Sequence, residues 1–182
     1  MKLKLFPILL ALTLLLCGCV QQPTEEAAPV PTDFAASGMH ITLTDAFTEK
    51  QHVSYTAMYH SEEIALMVLK EEYALFDNTE FSSQTSPEQY AALVWSSNQL
   101  PGEVPLQDDG NLTWFEYDRI VNGTDYRYRA YVYKCNEAFW LFQFSTRAEI
   151  FGAHTADIHS YAASVYFDVP YLSSLPEISY NQ

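Results

Sequence analysis

The sequence predicts one mixed α/β domain, of the α+β type, whose sheet is covered on both faces. Three observations carry that expectation. Ile64 to Leu69 is continuously apolar, as a strand buried on both sides is. Ser86-Pro87-Glu88-Gln89 has the residues of a capped helix start. Asn122-Gly123, flanked by long alternating runs, is a strong short-range signal for a two-residue β-hairpin turn.

In chain order, the first segment stands apart from that domain. A basic Met1 to Lys4 precedes an almost wholly apolar run from Leu5 to Leu16 and then Cys17-Gly18-Cys19, the charged head, apolar stretch and small-residue site of a secretory signal. The apolar run is interrupted by Pro7 and falls short of the roughly 20 residues a spanning helix needs. A disulfide between Cys17 and Cys19 would close too tight a ring for ordinary cystine geometry, and a zinc site would need further ligands that the neighbourhood lacks. From Val20 to Asp33, Pro23, Pro29 and Pro31 stand among Thr, Glu and Ala. That composition predicts an extended tether, reaching roughly 45 Å at about 3.1 Å per residue.

The domain is expected over residues 34–168. Met39, Ile41 and Leu43 alternate with polar neighbours, as in a half-buried strand. A second alternation places Val53, Tyr55, Ala57 and Tyr59 on one strand face, ahead of the apolar Ile64–Leu69 strand. The capping box then opens a helix over about 87–99, with Tyr90, Leu93, Val94 and Ser97 lining one face and Pro101-Gly102 ending it.

Centring a hairpin on Asn122-Gly123 pairs Val121 with Thr124. It sets Asp118 opposite Arg127, Glu116 opposite Arg129 and Trp114 opposite Tyr131, with Phe115–Ala130 and Tyr117–Tyr128 on the other face. Two charge pairs of opposite sign support that register. A further reversal at Asn136-Glu137 pairs Tyr133 with Trp140 and Tyr131 with Phe142, which makes Trp114, Tyr131 and Phe142 one aromatic row. The row needs a covering helix, expected within Ala148–Phe167, where Ile158, Tyr161, Ala162 and Val165 recur at helical spacing. Residues 169–182 read as a C-terminal tail.

Composition narrows the function classes. The net charge is −14, and removing Lys2 and Lys4 with a signal would leave seven basic residues against 23 acidic ones. Such a chain lacks the basic footprint that nucleic acid or an anionic bilayer surface requires. Only Cys135 lies in the domain, so the fold must stand without an internal disulfide. The 13 tyrosines, 11 phenylalanines and three tryptophans give it ample apolar area.

No nucleophile elbow, HExxH motif or phosphate-binding glycine loop occurs, so no catalytic residue is assigned and no cofactor is expected. His154 and His159 are five apart, about 140° around a helix. His52 and His60 would lie about 26 Å apart along a strand. Neither pair can hold one metal, and the histidines read as surface residues. Gln107 to Asn111 has a faint calcium-loop look without the required ligand pattern and reads as a turn. Cys135 has no basic neighbour in sequence to activate its thiol.

Leu16-Cys17-Gly18-Cys19 resembles the bacterial lipobox, with Cys17 in the position where Ala, Ser or Thr is usual. The resemblance implies cleavage after Gly18, a signal over 1–18, and a diacylated Cys19 heading a tether over 19–33. Two acyl chains suffice for stable anchoring. The element order, the Phe34-to-Leu43 opening and the ending Ser164-Val165-Tyr166-Phe167 resemble PsbP-like domains, including the DcrB-type lipoproteins of bacteria. This implies an antiparallel sheet of about six strands flanked by helices on both faces, and no catalytic residues to carry over. The expected protein is a non-enzymatic binding or accessory lipoprotein on the outer face of the cytoplasmic membrane. Its partners are the bilayer, through Cys19, and another envelope protein. The alternative is a small-ligand binder of an uptake or sensing system, with a pocket between sheet and helix lined by Trp95, Tyr131 or Trp140.

Overall fold

A computed structural model describes residues 28–76 and 81–168. The signal, Gly18, Cys19 and the 169–182 tail lie outside the described residues.

The long hairpin forms as its turn chemistry dictates. Asn122 and Gly123 take φ of 52° and 81°, the left-handed pair that a two-residue turn matched to strand twist requires. The turn joins β7 (Thr113–Val121) to β8 (Thr124–Lys134) in the expected register, Asp118 against Arg127, Glu116 against Arg129 and Trp114 against Tyr131. A short reversal leads into β9 (Ala138–Arg147), which sets Tyr131 opposite Phe142 and Tyr133 opposite Trp140. On its other side β9 pairs along its length with β5 (Ala65–Glu72), the continuously apolar strand. With β3 (Thr48–Glu49), β4 (Ala57–His60) and β6 (Gln107–Asp108), these make an antiparallel sheet in the order β3-β4-β5-β9-β8-β7-β6.

Alternation along β8 and β9 sorts the sheet into two faces. Phe115, Ala130, Val132, Phe139 and Leu141 point to one and pack under α1 (Pro87–Ser97). Tyr131, Trp140, Phe142 and Phe144 point to the other, together with Leu66 and Val68, and pack under α2 (Phe151–Ala163). Burying each such aromatic or branched side chain contributes about 1.5–3 kcal/mol.

Five expectations are corrected. The sheet has seven strands rather than six. Its faces are not flanked alike by helices: α1, together with Tyr73 and Phe76, covers the first, and α2 shares the second with a separate three-stranded sheet. That small sheet contains the opening strand, β2 (Met39–Thr44), whose Met39, Ile41 and Leu43 join the α2-side core. It also reaches into the segment read as tether, because β1 (Pro31–Ala36) pairs Pro31 with Thr44 and Thr32 with Leu43.

Its last strand, β10 (Tyr166–Phe167), pairs with His40 and Met39, so the chain leaves the helix after Ala163 instead of continuing it through Val165. Finally, the second alternation holds only over Ala57–His60. Val53 is fully exposed in a turn that the His52 ring stabilises by accepting from the Ser54 amide at 3.2 Å. His52 and His60 therefore do not share a strand.

The α1 start is built as read. Ser86 Oγ accepts from the Gln89 amide, Gln89 Oε1 accepts from the Ser86 amide, and Pro87 sits in the first turn. The buried stripe is Tyr90, Ala91, Val94 and Trp95, rotated from the expected one so that Ala91 and Trp95 replace Leu93 and Ser97. α2 begins at Ile150 with no side-chain cap. Phe151 in its first turn is instead held by two guanidinium groups, those of Arg127 and Arg129, 5.7 and 5.4 Å from its ring centre.

Candidate functional site

The expected ligand-lining residues fall on opposite sides of the sheet. Trp95 is in the α1 layer, edge-on to Phe115, with its indole N–H donated to the Gly102 carbonyl at 3.1 Å. It is a packing residue. Tyr131 and Trp140 are on the α2 face.

Tyr131 is the middle of a polar chain across the α2 layer. Its hydroxyl meets His159 Nδ1 at 3.2 Å, and His159 Nε2 meets Asp109 Oδ2 at 3.1 Å. Arg129 on the neighbouring β8 position is paired with Glu116 at 2.6 Å and donates to the Thr155 carbonyl of α2 at 3.2 Å. Burial pushes the Tyr131 phenol up, against the pull of Arg129. Asp109 is held below the usual carboxylate range by the amides of Asn111 and Leu112. In the same loop Asp108 takes the Gly110 amide and the Thr113 hydroxyl. These carboxylates fold the turn at Asp109–Asn111, whereas Gln107 and Asp108, read as part of it, form β6. His154 likewise bonds Glu63, at 3.1 Å. Among the described residues, no three His, Cys, Asp or Glu are grouped to hold a metal.

Trp140 lines the cavity that carries functional interest. Where the ends of the two sheets meet, the turn Ser37-Gly38, the turn Cys135–Glu137, Lys70 of β5, Trp140 of β9 and Phe167 and Asp168 at β10 enclose a cleft of about 390 Å³, at the small end of the range for ligand pockets.

Each wall has a local cause. Ser37 and Gly38 take φ of 53° and 84°, and the Gly38 carbonyl accepts from the Asp168 amide at 2.8 Å, closing the turn onto β10. The Cys135 amide donates to the Ala138 carbonyl at 3.0 Å, and the Cys135 carbonyl accepts the Tyr73 hydroxyl at 2.5 Å. Lys70 and Trp140 are direct cross-strand partners, which puts the ammonium 5.8 Å from the indole ring centre. Trp140 and Phe167 lie 5.2 Å apart at 37°. The indole N–H of Trp140 is buried without a hydrogen-bond partner among the described residues.

Of this cleft, the sequence singled out Trp140 as a ligand-lining residue and Cys135 only as a thiol without a basic neighbour. Lys70, Phe167 and Asp168 were missed because nothing in their own segments marks them. The pairing of β5 with β9 and of β10 with β2 brings them in. The same cleft is lined by both Cys135 and Lys70.

No family model matches the chain, and no curated protein matches it in sequence. Among solved structures it is similar to PsbP of the cyanobacterium Synechocystis sp. PCC 6803, with a TM-score of 0.48 and 12% identity over 83% of this chain and 100% of that one. It is also similar to a Bacteroides thetaiotaomicron VPI-5482 protein, with a TM-score of 0.50 and 8% identity over 78% of this chain and 49% of that one. A third is a Pseudomonas aeruginosa protein of unknown function, with a TM-score of 0.42 and 15% identity over 78% of this chain and 99% of that one. These are likenesses of fold, to PsbP among others. No helix among the described residues is long and apolar enough to cross a membrane.

Proposed function

We propose that this chain is a bacterial lipoprotein of the DcrB type. Cys19 anchors it in the outer face of the cytoplasmic membrane, and its domain is a non-enzymatic binding or accessory module for another envelope protein. The observation that carries the reading is Leu16-Cys17-Gly18-Cys19 at the end of a charged head and an apolar run. Each buried methylene of an acyl chain contributes about 0.8 kcal/mol, so two chains hold the domain without a spanning helix. The acidic surface keeps the domain itself off an anionic bilayer. The described histidines that meet carboxylates, His40, His154 and His159, tie elements of the fold together, which fits a module that recognises better than one that transforms.

A second reading, a small-ligand binder, is favoured by the cleft at Trp140.

Mass spectrometry of the native protein is expected to find an N-terminal Cys19 carrying diacylglycerol, and Cys19→Ser is expected to release the domain from membranes or leave an uncleaved precursor. An intact Met1, or an unmodified N-terminus further downstream, overturns the anchor. Cross-linking in intact membranes separates the two readings of the domain: an envelope protein captured without any effect of small solutes favours the first.

A further inference from the structure

We infer that the part of the first sheet face beyond α1 is the surface that docks the envelope partner, and that the partner presents there an acidic side chain flanked by apolar ones, its carboxylate at Arg119. The inference deepens the accessory-module reading above and rests on it. α1 lies over Phe115, Ala130, Val132, Phe139 and Leu141. Past its last turn, strand alternation continues the same face into Tyr117, Tyr128, Gln143, Met67 and Met58, on β7, β8, β9, β5 and β4. Four strand steps make this floor about 19 Å wide. Tyr117, Tyr128, Gln143 and Met58 are half-buried, and Met67, though buried, packs into neither of the two cores.

The floor is ordered before anything docks on it. Tyr117 stacks on Tyr128 at 4.8 Å and 8°, and its hydroxyl donates to Gln143 Oε1 at 2.5 Å. Tyrosines already locked together offer contact area with little further loss of side-chain freedom. Tyrosine, methionine and arginine are also the residues enriched where proteins meet.

Charge selects what the partner brings. The chain has 23 acidic residues, yet the strand positions of this floor carry none, and its basic groups are His60, Arg119 and Arg147. Arg127, Arg129 and Arg147 are each paired with a carboxylate, those of Asp118, Glu116 and Glu149. Among the described residues Arg119 is the arginine left without one. It is nonetheless fixed in place: its Nη2 donates to Asn98 Oδ1 at 2.9 Å and to the Asn98 carbonyl at 3.3 Å, and the guanidinium lies 5.6 Å from the Tyr117 ring centre. A guanidinium held on one edge keeps its other donors for a carboxylate, in a charge-assisted bond with little left to order. A second copy of this chain does not fit the site, because a two-fold contact through this face sets Arg119 against the same carboxylate-free floor.

The test uses the full chain in intact membranes, with the photoreactive side chain of p-benzoylphenylalanine as the probe. It is placed at Tyr126, the cross-strand partner of Arg119, and, as a control, at the exposed Ala156 of α2. Light is expected to give one discrete adduct from Tyr126, whose partner peptide, read by mass spectrometry, carries Asp or Glu beside apolar residues, and no such adduct from Ala156. Arg119→Gln should weaken capture about tenfold, while Arg119→Lys should keep most of it, which separates lost charge from lost folding. Raising the salt concentration should weaken capture by the parent chain as well. A Tyr126 adduct to a second copy of this chain or to a segment without an acid, or capture unchanged in Arg119→Gln, overturns the assignment. Adducts from Ala156 alone overturn this surface and leave the partner reading standing, whereas no adduct from either position overturns both, so the two failures are distinguishable.

Discussion

The two faces of the main sheet are closed in different ways. On one, a single helix with a complete capping box lies over an almost wholly apolar layer, in which Tyr90 stacks on Phe139 at 4.4 Å and Trp95 meets Phe115 edge-on. On the other, an uncapped helix and a small sheet share the cover, and the joints are polar: Arg129 to Glu116 and to the Thr155 carbonyl, Tyr133 to the Ala162 carbonyl, and His159 to Asp109. A cover assembled from two pieces leaves a gap where they meet, and that gap is the Trp140 cleft. The division is between a face closed mainly by apolar contact and a face closed through polar joints and a second sheet.

If that division holds, the two faces respond to different perturbations. The largest effect is expected from Phe139→Ala. The residue is fully buried between Tyr73, Phe76 and Tyr90, and truncating a core phenylalanine costs about 3–5 kcal/mol. Urea unfolding of the variant measures it, and a loss below about 1 kcal/mol would show that the α1 layer collapses onto the gap and is less tightly closed than described.

Glu116→Gln probes the other face. Arg129 is 13% exposed and Glu116 25%, so the change removes a partly buried charged acceptor, at a cost of about 2 kcal/mol. It should also raise amide exchange at the start of α2, where Arg129 supports both Phe151 and the Thr155 carbonyl. The same variant should leave exchange in α1 unchanged. Equal loosening of both helices would break the comparison.

What was legible in the sequence follows the same divide. The β7–β8 register could be read because Asn122-Gly123 specifies its own turn and two charge pairs confirmed the alignment, all within one local segment. α1 could be read because its cap is made by residues three apart. α2 was placed by periodicity, but its start was not marked, since the groups that hold Phe151 come from β8. The small sheet was missed for two reasons. Pro31-Thr32-Asp33 has the composition of the linker before it, and Tyr166-Phe167 is too short to show an alternation. The cleft follows from that omission. Its walls come from β5, β9 and the two ends of the small sheet, so Trp140 was recognisable as a large aromatic residue while its neighbours were not.

The smallest effect tests how far the polar character of the α2 face extends. Asp118 and Arg127 repeat the Glu116–Arg129 arrangement one step nearer the hairpin turn, at 2.7 Å, but with side chains 59% and 44% exposed. The Arg127 guanidinium holds the Asp118 carboxyl below its ordinary value of 3.8. Above that value the carboxylate is ionised in the folded and unfolded chain alike, and the pair contributes fully. As pH falls below it, the unfolded chain takes up the proton first, and the contribution fades until the folded carboxyl is protonated as well. Solvent limits the whole amount to roughly 0.2–1 kcal/mol. Asp118→Asn should therefore cost that much at neutral pH and converge with the wild type in strong acid, as measured by urea unfolding across the pH range. A cost near that of Glu116→Gln would mean that the hairpin tip is as much a part of the α2 joint as its base.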